Sequence, residues 1–163
     1  MKPDSFEIRA ATESDVPVIL ELIRALATYE RAPNEVIATE KGLTEVLFGK
    51  KPAAEVLLAF ENETAVGFAV FFHNFSTWLG RPGIYLEDLF VKPEHRGKGY
   101  GRALLIHLAK IARDRNCGRF EWAVLDWNEP AIQFYRKLGA KPMDEWTVFR
   151  LTRDGIAKLA DSQ

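Results

Sequence analysis

Three alternating glycines, in Arg96-Gly97-Lys98-Gly99-Tyr100-Gly101, are the residues whose spacing speaks most directly of chemistry. They stand between an apolar, strand-like stretch, Ile84 to Val91, and an amphipathic, helix-like one, Arg102 to Arg115. Glycines at such a junction let backbone N–H groups converge on one point, with the positive end of the helix dipole behind them. A nest of that kind holds an anion, and a pyrophosphate fits it. Two familiar phosphate loops do not match. A Walker A loop needs Gly-x-x-x-x-Gly-Lys followed by Ser or Thr, whereas Lys98 is followed by Gly99 and position 92 is a lysine. A dinucleotide fingerprint needs Gly-x-Gly-x-x-Gly, and Gly97-x-Gly99-x-Gly101 lacks that spacing. What remains is Arg-x-x-Gly-x-Gly, glycines that a plain strand-to-helix turn would also use.

Arg96-x-x-Gly99-x-Gly101 resembles the pyrophosphate-binding motif of the GNAT superfamily of N-acetyltransferases. Tyr85-Leu86-Glu87-Asp88-Leu89-Phe90-Val91 before it is similar to the diamine (spermidine/spermine) N-acetyltransferase subfamily. So are Asp126-Trp127-Asn128-Glu129-Pro130-Ala131-Ile132-Gln133-Phe134-Tyr135 after it, and Leu26-Ala27-Thr28-Tyr29-Glu30 and Thr39-Glu40-Lys41 near the start. The resemblance runs through most of residues 6 to 151. It implies acetyl-CoA as cofactor, a small-molecule amine as substrate, and a homodimer. It places coenzyme A against the main chain of Leu89, Phe90 and Val91, and against Arg96, Gly97, Lys98, Gly99, Tyr100, Gly101 and Arg102. Asn128, Glu129, Pro130, Ala131 and Tyr135 complete that site.

Acetyl transfer to an amine makes three demands. The amine must lose a proton, the oxyanion must be stabilised, and the departing thiolate must be protonated or hydrogen-bonded. A free alkylamine has a pKa of about 10.4, so presenting it neutral at pH 7 costs about 4 kcal/mol. A positioned carboxylate takes that proton. The resemblance assigns the role to Glu87; read alone, Glu87 is also suited to an ion pair. Strand alternation sends Asp88 to the other face unless a bulge intervenes. The resemblance sets Tyr135 beside the thioester sulfur, where a phenol near pKa 10 would give its proton to a thiolate near 8.5 about 2 kcal/mol uphill. Hydrogen-bonding the thiolate serves as well as full transfer, and helical spacing with Ile132 would also suit a core aromatic. A strand N–H freed at a bulge would meet the oxyanion.

A polyamine carries several positive charges, so its pocket should be acidic. Tyr29 and Glu30 match the substrate-contacting pair of the diamine subfamily, and Trp78 offers a cation–π contact. Glu87, Glu121, Trp122 and Ala123 complete the expected acceptor site, with Asp126 adding negative charge. Ala123-Val124-Leu125-Asp126-Trp127-Asn128 also looks like relatives that acetylate thialysine-type amino acids. Cys117 lies in a turn with no neighbouring histidine, which argues against a covalent acetyl-cysteine route. His73, His95 and His107 show no ligand spacing, so no metal is expected.

The elements that must hold these residues follow from the pattern. The chain has 163 residues, 47% of them hydrophobic and 12% aromatic, which suits one folded domain spanning 1–163. A net charge of −1 argues against nucleic acid and anionic membranes as partners. No leader pattern and no apolar run of about 18 residues is present, and a lone cysteine suits the cytoplasm. Phe6–Ala10, 55–61, 65–72, 83–91, 119–124 and 147–151 read as strands. Helices are expected from Thr12 and Val16 onward, from Thr39 to near Gly49, over 102–115, and over 129–138. Asn62-Glu63-Thr64 reads as a hairpin turn, and 73–82 as a loop. Helices and strands alternate in the second half, which predicts an α/β (α+β) fold with a mixed, mostly antiparallel sheet flanked by helices on both faces. Function narrows to an acetyl-CoA-dependent N-acetyltransferase acting by direct attack in a ternary complex. A polyamine or diamine is the expected acceptor. Thialysine, lysine or a protein amine is the alternative, and a non-catalytic coenzyme A sensor is a reading of another class.

Overall fold

The computed structural model describes residues 5–162; positions 1–4 and 163 of the expected 1–163 domain lie outside the described residues. The chain divides into two compact units, one ending at Ala123 and one beginning at Val124.

The first unit is built on five strands in the order β1 (Phe6–Ala10), β2 (Glu55–Glu61), β3 (Thr64–Ser76), β4 (Arg81–Val91) and β5 (Phe120–Trp122). All neighbours are antiparallel except β4 and β5, which are parallel. The expected mixed, mostly antiparallel sheet is therefore present. A parallel pair needs a crossover, and helix α3 (Tyr100–Asp114) supplies it. Asn62 and Glu63 both have positive φ, 48° and 67°. That is the two-residue turn whose twist matches a tight hairpin, and it joins β2 to β3 where expected. The loop expected over 73–82 is mostly strand. Asn74 pairs with Gly83, Phe75 with Pro82 and Ser76 with Arg81, leaving only a short turn. Pairing across the hairpin has overridden the polar composition that suggested a loop.

Helix α1 (Val16–Tyr29) starts where Asp15 accepts from the backbone N–H of Thr12 at 2.7 Å. Arg9 of β1 grips the same carboxylate with two bonds, 2.8 and 2.9 Å. Ile19, Leu22 and Leu26 of α1 pack with Val56, Leu58, Phe68 and Phe90 on one face of the sheet. Alternation turns Leu57, Ala59 and Phe71 to the other face. There α3 buries Leu104, Leu105 and Leu108, and Arg115 just past its end lies 5.9 Å over the Phe71 ring. Helices thus cover both faces. Helix α2 (Glu40–Phe48) is capped by Thr39, which accepts from the Gly42 N–H at 3.1 Å.

The second unit holds α4 (Glu129–Lys137) and α5 (Arg153–Ala160). The strand expected over 147–151 is absent there, and the segment is irregular. Strand propensity is realised only through pairing, and the described residues of this unit hold no other strand for its β-branched and aromatic residues to pair with.

Candidate active site

Strand β4 carries one residue too many for its partner. Val70 lies opposite Asp88 and Phe71 opposite Leu86, so Glu87 has no partner on β3. This is a β-bulge, and it resets the alternation. The Tyr85 ring lies tilted against that of Phe72 at 5.2 Å, Asp88 sits opposite Val70, and Phe90 opposite Phe68, all on the α1 side. Asp88 therefore does not point away from Glu87, as unbroken alternation would require; the two acids share a face. The sequence carried a signal of this. Apolar residues fall at Ile84, Leu86, Leu89 and Val91, and the spacing of three in the middle marks the extra residue.

Glu30, just past the end of α1, faces the same pair. The Asp88 carboxyl is pushed up to about 6, first by burial, then by the charges of Glu87 and Glu30. Partial burial also draws the Glu30 carboxyl upward. No cation is paired with Asp88 among the described residues. Three acids, one of them half-buried and titrating at about 6, are thus gathered on one face with no cation paired to Asp88. Tyr29 lies beside them, its ring 6.4 Å from that of Phe90.

The other edge of β4 is open beyond the bulge. Pairing with β5 runs only from Ile84–Phe120 to Leu86–Trp122. Among the described residues no strand continues beside Leu89, Phe90 and Val91, so apart from the Val91 carbonyl, which Arg96 takes, the backbone groups on that edge have no strand partner. Immediately beyond, Gly97 and Gly99 adopt left-handed φ of 81° and 85°. A Cβ at either would meet nothing within 4 Å, so the glycines are needed for conformation, and the space over the loop is open. Gly99 is the N-cap of α3 and caps it without a side chain, leaving the first-turn amides to an outside acceptor.

The loop's side chains are mostly engaged elsewhere. Arg96 donates through Nε to the Val91 carbonyl at 2.9 Å and lays its guanidinium 4.3 Å over the Tyr29 ring. Lys98 and Tyr100 both reach Glu61. Arg102 is exposed in the first turn of α3. Backbone amides, with Arg102 at the rim, are thus what the loop offers an anion.

Other expected site residues are placed as follows. Glu121 sits on the Tyr85 side of β5, but its carboxylate is held by Arg119 at 2.7 Å and Asn74 at 3.1 Å. Trp122 alternates to the opposite face, beside Phe120 at 5.0 Å, and Ala123 follows the strand. Trp78 is 90% exposed in the β3–β4 turn. Glu87 is six steps along β4 from Arg81, about 20 Å at 3.3 Å each, so the hairpin does not bring Trp78 to the acids. In the second unit Asn128 caps α4, accepting from the Ala131 N–H at 3.4 Å. Glu129, Pro130 and Ala131 form the helix opening. Tyr135 is seven residues after Asn128, which puts both on one side of α4, about 10 Å apart. Asp126 lies in the turn before α4. No cluster suited to a metal ion occurs among the described residues.

Residues 20–140 match the model of the Acetyltransferase (GNAT) family. The chain is 40% identical to the thialysine N-epsilon-acetyltransferase of Sus scrofa, over 94% of this chain and 96% of that one. The chain belongs to the GNAT acetyltransferase family. An L-ornithine N5-acetyltransferase of Arabidopsis thaliana is 33% identical, over 93% of this chain and 86% of its own. The solved structure of an integron cassette protein from the mobile metagenome of V. cholerae superposes with a TM-score of 0.81 at 30% identity, covering 97% and 99% of the two chains. This GNAT protein is an N-acetyltransferase of amines. Its described residues include no helix long and apolar enough to cross a membrane.

Proposed function

We propose that this GNAT protein transfers acetyl from acetyl-CoA to a primary amine of a small, cationic, flexible molecule, with a diamine or polyamine as the leading acceptor. The observation that carries this reading is the bulge at Glu87, which gathers Glu87, Asp88 and Glu30 around a site with no paired cation. An ammonium group supplies the missing charge. Glu87 and Asp88 hold and take its proton; a carboxyl titrating at about 6 is a better acceptor than one near 4. Acetyl-CoA supplies an activated thioester. The amides at Gly97 to Gly101 would hold its diphosphate, and the open edge from Leu89 to the Val91 N–H offers main-chain groups to its amide-bearing arm. Asn128 fixes the start of α4, and Tyr135 would donate to the departing sulfur. The same reading carries a homodimer working in the cytoplasm, supported by the family resemblance; sedimentation equilibrium tests the first part.

A second reading has an amino acid of the thialysine or ornithine type as acceptor. It is favoured by the two relatives named for such substrates, and by Arg96, whose guanidinium over Tyr29 brings a cation to the acid pocket's border for an acceptor carboxylate. One assay separates the two: thiol release from acetyl-CoA with putrescine, spermidine, ornithine, lysine and thialysine at equal concentration. The leading reading expects the diamines to give the highest kcat/KM. Preference for the amino acids would replace it with the second, and binding of acetyl-CoA without release for any amine would leave a sensor.

A further inference from the structure

The side chains at the glycine loop converge on one carboxylate. Glu61 ends β2, directly before the hairpin turn, and is only 7% exposed. Its Oε2 is 2.7 Å from His95 Nδ1, and its Oε1 accepts from Lys98 Nζ at 2.7 Å and from the Tyr100 hydroxyl. These bonds draw the carboxyl down to about 2. The Tyr100 ring also stacks flat on Phe6 of β1, with centroids 4.1 Å apart. Three residues of the six from 95 to 100 are thus stapled to the β1–β2 end of the sheet, and the two left-handed glycines lie between the staples.

We propose that Glu61 is a positioning residue for coenzyme A: by holding His95, Lys98 and Tyr100 together it fixes the loop with its amides turned to the diphosphate. This rests on the reading that the loop binds that diphosphate. Two left-handed glycines are costly to order, because glycine loses the most backbone freedom on becoming fixed. Charge-assisted bonds to one buried acceptor offset that cost before the ligand arrives, and preorganisation tightens binding without adding a contact. The arrangement also gives Lys98 a role other than pairing with phosphate, since its ammonium already has a carboxylate partner.

The sign of one substitution decides between positioning and simple electrostatics. Glu61→Gln removes a negative charge beside an anion site and releases Lys98. If charge alone mattered, coenzyme A would bind more tightly. If Glu61 positions the loop, it binds more weakly, by about tenfold for the loss of bonds to a charged group. Isothermal titration with coenzyme A reads the dissociation constant. Steady-state kinetics should show KM for acetyl-CoA raised with kcat at saturation nearly unchanged, a split that general loosening of the fold does not produce. Tyr100→Phe keeps the stack on Phe6 and removes only the hydroxyl, so it carries the test if Glu61→Gln does not fold; a weakening of about threefold is expected, from a single hydrogen bond. Unchanged or tighter coenzyme A binding in the folded variants overturns the proposal. Gly99→Val separates the two layers. If it leaves coenzyme A affinity intact, the loop is not the diphosphate site and both readings fall. If it weakens binding while Glu61→Gln and Tyr100→Phe do not, only the role of Glu61 falls.

Discussion

Asp88 shows what one side chain costs the fold and offers the reaction. Its carboxyl is displaced from 3.8 to about 6. The folded chain therefore holds a proton that the unfolded chain has released between those pH values. With the acid's pKa raised on folding, stability falls as pH rises from about 4 to 6, and above that the penalty is about 3 kcal/mol, from two units at 1.36 each. Asp88→Asn removes the penalty. At pH 7.5 Tm should rise by roughly 6–12 °C, at about 2–4 °C per kcal/mol, while at pH 4 the two proteins should melt together. The same substitution should lower kcat/KM by about a hundredfold, as expected for loss of a proton acceptor. Calorimetry at the two pH values checks the first part; a variant no more stable at pH 7.5 would mean that Asp88 is not strained by burial and like charge. Tyr135→Phe belongs to the same scale. It should reduce kcat by about a hundredfold and leave the KM for acetyl-CoA in place; an unchanged kcat would remove the tyrosine from the chemistry.

At the scale of elements, the glycine loop and the bulge do the positioning. Gly97 has φ of 81° with open space around it, so Gly97→Ala meets conformational strain and no clash. The expected cost is about 1–2 kcal/mol of stability, together with a raised KM for acetyl-CoA and an unaltered KM for the amine. A substitution that moved both constants equally would place the loop's influence at the acceptor pocket instead. These elements differed in how readable they were. The loop announced itself because only glycine accepts left-handed φ freely. Helices α1 and α3 followed from periodicity, since each buries one clear face, and β2 and β4 from apolar runs buried on both faces of the sheet; α4 was marked by its Asn128 cap and the Pro130 in its first turn. The bulge was visible only as a slip of apolar spacing from two to three, which alternation alone does not interpret. Helix α5 escaped because Gly155 sits in its first turn and it spans only eight residues. The strand expected at 147–151 failed for the opposite reason: its propensity is strong, but pairing is a property of a neighbour that the segment's own sequence does not contain. Trp78 and Trp122 illustrate the same limit at the site. The family resemblance suggested both as acceptor-site residues, whereas hairpin length and strand alternation decide which face and which end of the sheet each one occupies.

For the molecule as a whole, a net charge of −1 gives little long-range pull on a cation, so attraction to the acceptor must come from the local acids. Asp88 and Glu30 are shifted upward, opposite to three carboxyls elsewhere. Asp15 is held well below the usual range by its bonds from Arg9, Glu61 is lowered to about 2, and Glu55 is lowered by Arg115. Depressed carboxyls contribute stability above their unfolded pKa and lose it as pH falls through the folded one, so these three defend the fold until pH drops below about 4. Asp88 works in the reverse direction, and the greatest stability should fall at about pH 4–5. A cationic acceptor changes that balance. The amine stays protonated up to about pH 10, so its own charge is constant across the range where Asp88 titrates. Bound beside Asp88, an ammonium favours the ionised carboxylate and displaces its proton. The rise in Tm on adding a saturating diamine should therefore be larger at pH 7.5 than at pH 5. Calorimetric titrations near pH 6 in buffers of different ionisation enthalpy should show proton release. In Asp88→Asn the pH dependence should vanish. Equal thermal shifts at both pH values, with no proton released, would mean that the acceptor's charge is met somewhere other than at the bulge.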